Sequence, residues 1–161
     1  MDLVIANDDP NADDVRELLE RHLAFAREVT PPEGVHALGV DGLADPGVTF
    51  FSARARHDCR LLGIGALRQL DDAHAELKSM HTAQAARGQG VGRALVEHVL
   101  SVAAERGYRR VSLETGVMAA FAPARALYAR VGFTPCPPFA DYADSPTSAC
   151  MTIVLGPPAQ R

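Results

Sequence analysis

The chain has 161 residues, of which 47% are apolar, and a formal net charge of −4 at neutral pH. That length and apolar share suit one α/β domain with a real core, while an acidic balance without a basic run sets nucleic acid aside as a partner. No basic segment leads into an apolar stretch at Met1–Pro10 and no apolar run approaches the length of a membrane span, so a soluble, cytoplasmic protein with no membrane partner is expected.

Leu3-Val4-Ile5-Ala6 reads as a short first strand. Asp9-Pro10 then marks a helix start, with Asp9 as N-cap and Pro10 in the first helical position. Val15, Leu18, Leu19, His22, Leu23 and Ala26 fall on one apolar face of a helix reaching about Val29. On that face His22 is read as a hydrogen-bonded core histidine rather than a catalyst. Thr30 to Gly47, rich in Pro and Gly, is expected to be a loop with one helical turn at most. Val48–Arg56 and Cys59–Leu70 form a predicted hairpin around His57-Asp58, and Asp71-Asp72-Ala73 turns into the next strand.

The stretch from Glu76 to Gly107 organises the rest. Its start alternates as a strand does, with Leu77, Ser79 and His81 on one face and Glu76, Lys78 and Met80 on the other. Its end is a helix with Val91, Leu95, Val99, Val102 and Ala103 along one stripe, stopped by Gly107. Arg110–Thr115 is a further strand, and a crossover this long implies that it runs parallel to the one before. Pro123 opens a helix that Gly132 ends, and Phe133-Thr134 begins a return strand. A Pro-rich, aromatic loop (Cys136 to Tyr142) leads to a closing strand, Ala149–Leu155, and the tail Gly156–Arg161 is expected to fray. The pattern shows no internal repeat and no domain boundary. Three cysteines without a C-x-x-C pattern suit reduced thiols. Six scattered histidines offer no metal-ligand spacing, so no metal is expected.

Between strand and helix stands Arg87-Gly88-Gln89-Gly90-Val91-Gly92. Glycines just where a helix begins leave backbone N–H groups unpaired and unshielded, at the positive end of the helix dipole; such a turn accepts a phosphate or pyrophosphate. A P-loop would need Lys-Ser or Lys-Thr after the last glycine, where this chain has Arg93-Ala94. A dinucleotide fingerprint would place its third glycine one residue further on. A tight turn that merely needs small residues fits the same letters.

Arg87-x-x-Gly90-x-Gly92, after a strand ending in Met80-His81, resembles the acyl-CoA-binding motif of the GNAT N-acetyltransferases. Ala124-x-x-Leu127-Tyr128-x-x-x-Gly132-Phe133 is similar to a second signature of that family, in the right order. The resemblance is clear from about Leu61 to Phe133. It departs at Phe121, where many members carry an Asn that touches the pantetheine arm. The resemblance implies a single domain with a mixed, mostly antiparallel sheet of about seven strands, helices on both faces, and a splayed parallel strand pair. It implies acetyl-CoA as cosubstrate, held by Met80, His81, Thr82, Arg87, Gly88, Gln89, Gly90, Val91, Gly92, Arg93, Phe121 and Tyr128. The implied reaction moves an acetyl group directly to a primary amine, of a small molecule or a peptide, through a tetrahedral intermediate. In it Tyr128 is the acid for the departing thiolate, and a backbone N–H near Met80 steadies the oxyanion. Glu76 is the first candidate for the base and Glu114 the second; either carboxylate could instead pair with Lys78 or an Arg, and a water chain could serve. Lys78 holds a substrate carboxylate or forms an ordinary ion pair, and Phe139 and Tyr142 line the acceptor pocket or fill the edge of the core. The rival reading is a non-catalytic acyl-CoA-binding domain that regulates a partner protein. The acceptor and the oligomeric state, a homodimer included, stay open.

Overall fold

The structure, a computed structural model, describes residues 2–156. The segments read as strands form one sheet: β1 (Leu3–Asn7), β2 (Val48–Ala55), β3 (Leu61–Gln69), β4 (His74–Thr82), β5 (Arg110–Gly116), β6 (Thr134–Cys136) and β7 (Ser148–Val154), in the order β1-β2-β3-β4-β5-β7-β6. Every neighbouring pair is antiparallel except β4 and β5, which α3 (Val91–Glu105) connects. The remaining helices are α1 (Asp13–Val29), the single turn α2 (Val40–Leu43) and α4 (Ala122–Val131). Of the tail expected to fray, residues 157–161 lie outside the described residues.

Because strand side chains alternate, the sheet buries two faces. Phe51, Leu67, Ala75, Leu77, Val111 and Leu113 pack against Val96, Val99 and Ala103 of α3 and Tyr128 of α4. Phe50, Ile64 and Ala66 pack on the other side against Val15, Leu18 and Leu19 of α1 and Leu43 of α2. Helices thus cover both faces, as expected.

Asp9 is not the N-cap of α1. Its carboxylate instead accepts the Asn11 N–H at 2.9 Å and its carbonyl the Ala12 N–H at 3.1 Å, closing a turn that holds Pro10 outside the helix. The helix begins only at Asp13, after Ala12. By contrast, Gly107 stands just past the end of α3 with φ 87°, where a glycine was expected.

Two irregularities in β4 place the site. First, it pairs with β5 only through His74–Arg110, Ala75–Val111 and Glu76–Ser112, after which the two strands diverge. Second, Ser79 and Met80 together oppose the single residue Gly65 of β3, and Ser79 has φ 56°. This is a β-bulge, and the extra residue reverses the alternation beyond it. Met80 therefore packs with Leu77 on the α3 side. His81 points to the other side, where its ring meets His22 of α1. The unbroken alternation read from the sequence put these two side chains on the opposite faces.

Candidate active site

A cavity of about 690 Å³ lies between the end of β4, the glycine turn at the head of α3, and α4. Its size is that of a ligand site rather than a packing defect. Met80, His81, Thr82, Arg87, Gly88, Gly90, Val91, Gly92, Arg93, Phe121 and Tyr128 all border it. Gln89 does not; its side-chain amide turns back to donate to the Ala85 carbonyl at 3.2 Å. Gly88 and Gly90 have φ of 76° and 85°, the left-handed region where a side chain is strained. A Cβ at either would meet nothing within 4 Å, so what these positions demand is backbone freedom and an open approach. Among the described residues no side chain caps the start of α3, so its first N–H groups lack side-chain partners, and Gly90–Arg93, which carry them, border this space. Arg87 and Arg93 stand at the same wall, joined by Arg130 of α4, which the sequence reading did not single out.

A smaller cavity of about 120 Å³ occupies the fork of β4 and β5. Its floor is Glu76–Met80 and Leu113–Gly116, and α1 with the loop around His36 closes it. Here the structure gathers Glu76, Lys78 and Glu114. Glu76 is 1% exposed. Its Oε2 accepts the Tyr142 hydroxyl at 2.5 Å and the Lys78 ammonium at 3.3 Å, while Oε1 is buried without a hydrogen bond. Lys78 also donates to the Tyr142 hydroxyl at 2.8 Å and the His36 carbonyl at 3.4 Å. Three partners for three N–H groups leave this ammonium nothing to offer a substrate carboxylate. Tyr142 therefore belongs to a clasp that pins the loop after β6 to the sheet. Its phenol is pushed well above the usual range by burial first and by Glu76 next. Phe139 packs edge-on against the Tyr142 ring and near His74. Glu114 is freer. Burial raises its carboxyl pKa, and one oxygen accepts the Ser148 hydroxyl at 3.0 Å.

The two cavities share His22, Met80, Phe121, Ala124 and Tyr128 as walls. Tyr128 is buried against Phe133, and desolvation holds its phenol well above the ordinary value. Phe121 lies on Gly116, where a Cβ would strike its ring, and edge-on to Phe25 at 5.4 Å. The apolar face of α1 places His22 in the core. It is hydrogen-bonded as expected, but through His81 (Nδ1 to Nδ1, 3.1 Å) and in the wall between the cavities. Nothing in the local sequence could have shown this, because the partner's direction depends on the bulge at Ser79.

The family model for the acetyltransferase (GNAT) family matches residues 13–133. The chain belongs to the GNAT family. It is 45% identical to an uncharacterised N-acetyltransferase of Bacillus subtilis, over 90% of this chain and 95% of that one. An uncharacterised N-acetyltransferase of Escherichia coli is 42% identical, over 94% of each. A protein of Azospirillum brasilense named IAA acetyltransferase is 33% identical, over 92% of this chain and 95% of its own. Among solved structures, a GNAT acetyltransferase of Elizabethkingia anophelis with acetyl-CoA bound superposes with TM-score 0.69, covering 96% of this chain and 99% of that one at 17% identity. Spermidine N-acetyltransferase of Vibrio cholerae, in complex with CoA and spermine, gives TM-score 0.69, covering 94% and 95% at 17% identity. Both likenesses concern the fold. Among the described residues no helix is long and apolar enough to cross a membrane, and no group of three or more His, Cys, Asp or Glu could hold a metal ion.

Proposed function

We propose that this GNAT protein transfers an acetyl group from acetyl-CoA to a primary amine, with acetyl-CoA in the larger cavity and the amine in the smaller. The observation that carries the reading is the junction: a ligand-sized cavity headed by the glycine turn meets a second one at Tyr128. A domain that only sensed acyl-CoA would have no use for the second chamber. The relatives add support from their names, in acetyl-CoA for one and spermine for another.

The residues divide the work. The backbone N–H groups from Gly88 to Arg93 receive the pyrophosphate, with Arg87, Arg93 and Arg130 as charge partners at the mouth. Beyond Glu76 and Ser112 the facing edges of β4 and β5 do not pair with each other. Their polar groups are free to bond the pantetheine arm as an added strand would. Phe121 offers that arm a ring face in place of an amide. A backbone N–H at the Ser79–Met80 bulge, displaced from the ladder, is the donor for the oxyanion. Tyr128, neutral at every physiological pH because burial raises its pKa, is the proton donor to the thiolate. Glu76 fits the base less well than its place on the strand implies: one oxygen is committed to Tyr142 and Lys78, and the other is buried, 4.0 Å from the Arg68 guanidinium.

The test is thiol release from acetyl-CoA with ethanolamine, glycine amide, spermidine and an alanine-terminated peptide, each against a no-enzyme control, together with calorimetric binding of acetyl-CoA. Amine-dependent release is expected from wild type. Tyr128→Phe should lower turnover by about 10²–10⁴-fold with an almost unchanged acetyl-CoA Kd, since its hydroxyl acts on charge that develops in the transition state. Binding of acetyl-CoA without turnover on any acceptor would favour the regulatory reading. No binding at all by well-folded protein would remove both.

A further inference from the structure

We propose that His22 and His81 form a proton relay, in which His22 takes the proton of the attacking amine at the junction of the two cavities and His81 discharges it into the acyl-CoA cavity. This rests on the acyl-transfer reading above and assigns the step that Glu76 leaves vacant.

Among the described residues five side chains border both cavities, and of these only His22 and Tyr128 can transfer a proton. Transfer to an amine needs two proton movements at one centre: one off the nitrogen and one onto the sulfur. Tyr128, held neutral with its proton, suits the second. The first falls to His22. Glu76 and Glu114 border the smaller cavity, where the amine enters; Glu76 is held by Tyr142 and Lys78, which leaves Glu114, bonded to Ser148, as the rival acceptor that the variants below separate from the relay.

The geometry of the pair fixes its proton inventory. The two Nδ1 atoms are 3.1 Å apart, with ring centroids 5.0 Å apart and edge-to-face. Facing nitrogens can bond only if one carries hydrogen and the other a lone pair. One ring is then the Nδ1–H tautomer, with a lone pair on Nε2, and the other carries its hydrogen on Nε2. Neither Nε2 has a protein hydrogen bond among the described residues. With His22 as the Nδ1–H ring, a proton arriving at its Nε2 pushes the shared hydrogen across to His81, and His81 releases its own Nε2 hydrogen. One proton enters and one leaves, and no net charge stays buried. The amine nitrogen bonds the acetyl carbon to give the tetrahedral intermediate, and as this collapses the carbon–sulfur bond breaks and the sulfur takes the Tyr128 proton, which solvent restores. Once product has left, solvent protons run the pair backwards to its first tautomer.

Burial brings both rings to pKa values of about 4, His81 with further lowering from His22 and Arg87, so lone pairs are present throughout the neutral range. Such a weak base cannot strip a free alkylammonium, whose pKa is about 10.4. It acts on the proton after the nitrogen has begun to bond carbon and has lost its basicity. The pair also ties α1 to β4, and a purely structural role is the alternative to be separated.

Two variants separate them, assayed with acetyl-CoA and the amine panel above, with folding followed by thermal melts. His81→Asn keeps a polar group where Nδ1 stands and can preserve the bond to His22, yet it cannot pass a proton through. His22→Ala removes the acceptor and leaves a space for an added base. The relay predicts a fall in kcat of about 10²–10⁴-fold in both variants, with acetyl-CoA Kd within about twofold of wild type. It also predicts that substituted imidazoles rescue His22→Ala at a rate that rises with the pKa of the base. A folded His81→Asn with wild-type kcat overturns the relay, as does rescue that is independent of base strength; should His22→Ala fail to fold, His81→Asn alone decides. Wild type that binds acetyl-CoA but releases no thiol with any amine sinks the acyl-transfer reading and the relay with it. Wild-type turnover with unaffected variants sinks the relay alone.

Discussion

Replacing Glu76 with Gln decides whether this residue is an anchor or a catalyst. The carboxylate and the Lys78 ammonium are 1% and 7% exposed, 3.3 Å apart, and bound to the same Tyr142 hydroxyl. Glu76→Gln keeps the shape and an acceptor for Tyr142 but leaves a buried ammonium without its counter-charge. Removing one partner of a buried pair costs about 3–5 kcal/mol, and for a chain of this size each kcal/mol lowers Tm by about 2–4 °C. The expected loss is therefore on the order of 6–20 °C. Replacing both members with apolar groups removes the orphan charge, so Glu76→Leu with Lys78→Met should recover much of the stability lost in either single variant. Urea unfolding of wild type, Glu76→Gln, the two apolar single variants and their double at pH 7, beside thiol release with acetyl-CoA and the amine panel, is the assay. A Glu76→Gln protein within about 0.5 kcal/mol of wild type but stripped of turnover would refute the anchor argument and return Glu76 to the catalytic list.

Further outcomes follow from the glycine turn and the paired histidines. Gly90→Ala should cost about 1–2 kcal/mol, because φ is 85° whatever the free space, whereas Gly92→Ala meets the end of the Leu127 side chain at 3.2 Å and the Thr82 hydroxyl at 3.5 Å and should change stability little; urea midpoints check both. A loss of acetyl-CoA affinity in Gly92→Ala that exceeds its loss of stability marks close approach of the ligand to that backbone. Acetyl-CoA at about 100 times its Kd should add about 2.7 kcal/mol to wild-type stability, and NADH nothing comparable, in a thermal melt. Stability should also fall in mild acid. His22 and His81 bring their pKa from 6.5 to about 4 on folding, so between these values the unfolded chain binds protons that the folded one refuses. Their contribution is complete above pH 6.5 and is lost as pH falls towards 4. Mostly buried His22 accounts for about 3 kcal/mol, and the more open His81 for less. Urea midpoints from pH 7 to 4.5 should show this slope, and His22→Gln should flatten it; an unchanged slope would show that His22 is not buried as the neutral form.

How much was legible depended on whether a residue's role is local. Gly88, Gly90 and Gly107 hold backbone angles that other residues resist, so their positions announce turns in the letters themselves. The stripe Val91, Leu95, Val99, Val102 and Ala103 is equally local; Val102 is half-buried and the other four are buried. Asp9-Pro10 misled because Asp caps a turn as readily as a helix, and the choice between them turns on hydrogen bonds to Asn11 and Ala12. The clasp was hidden for another reason. Tyr142 is 66 residues from Glu76 and 64 from Lys78, and no pattern of period two or four connects them. The family resemblance could name a glycine turn and a tyrosine, since these carry chemistry common to its members, but not a contact between α1 and β4.

The bulge in β4 links these observations. A regular strand would pair with β5 along its length and keep Leu77, Ser79 and His81 on one side. The added residue at Ser79, three residues past the last pair with β5, ends that regularity, and Gly65 stands opposite it, where a Cβ would come 2.6 Å from the Met80 sulfur. Met80 is thereby turned to the α3 side, where it helps wall both cavities, and His81 to the α1 side, within 3.1 Å of His22. One inserted residue thus helps set the divider between the chambers and brings two imidazoles nitrogen to nitrogen. Because a positive φ at a serine is costly, its persistence here requires that the surrounding packing hold it. The strained residue lies at the centre of the proposed chemistry, where such strain is expected to concentrate.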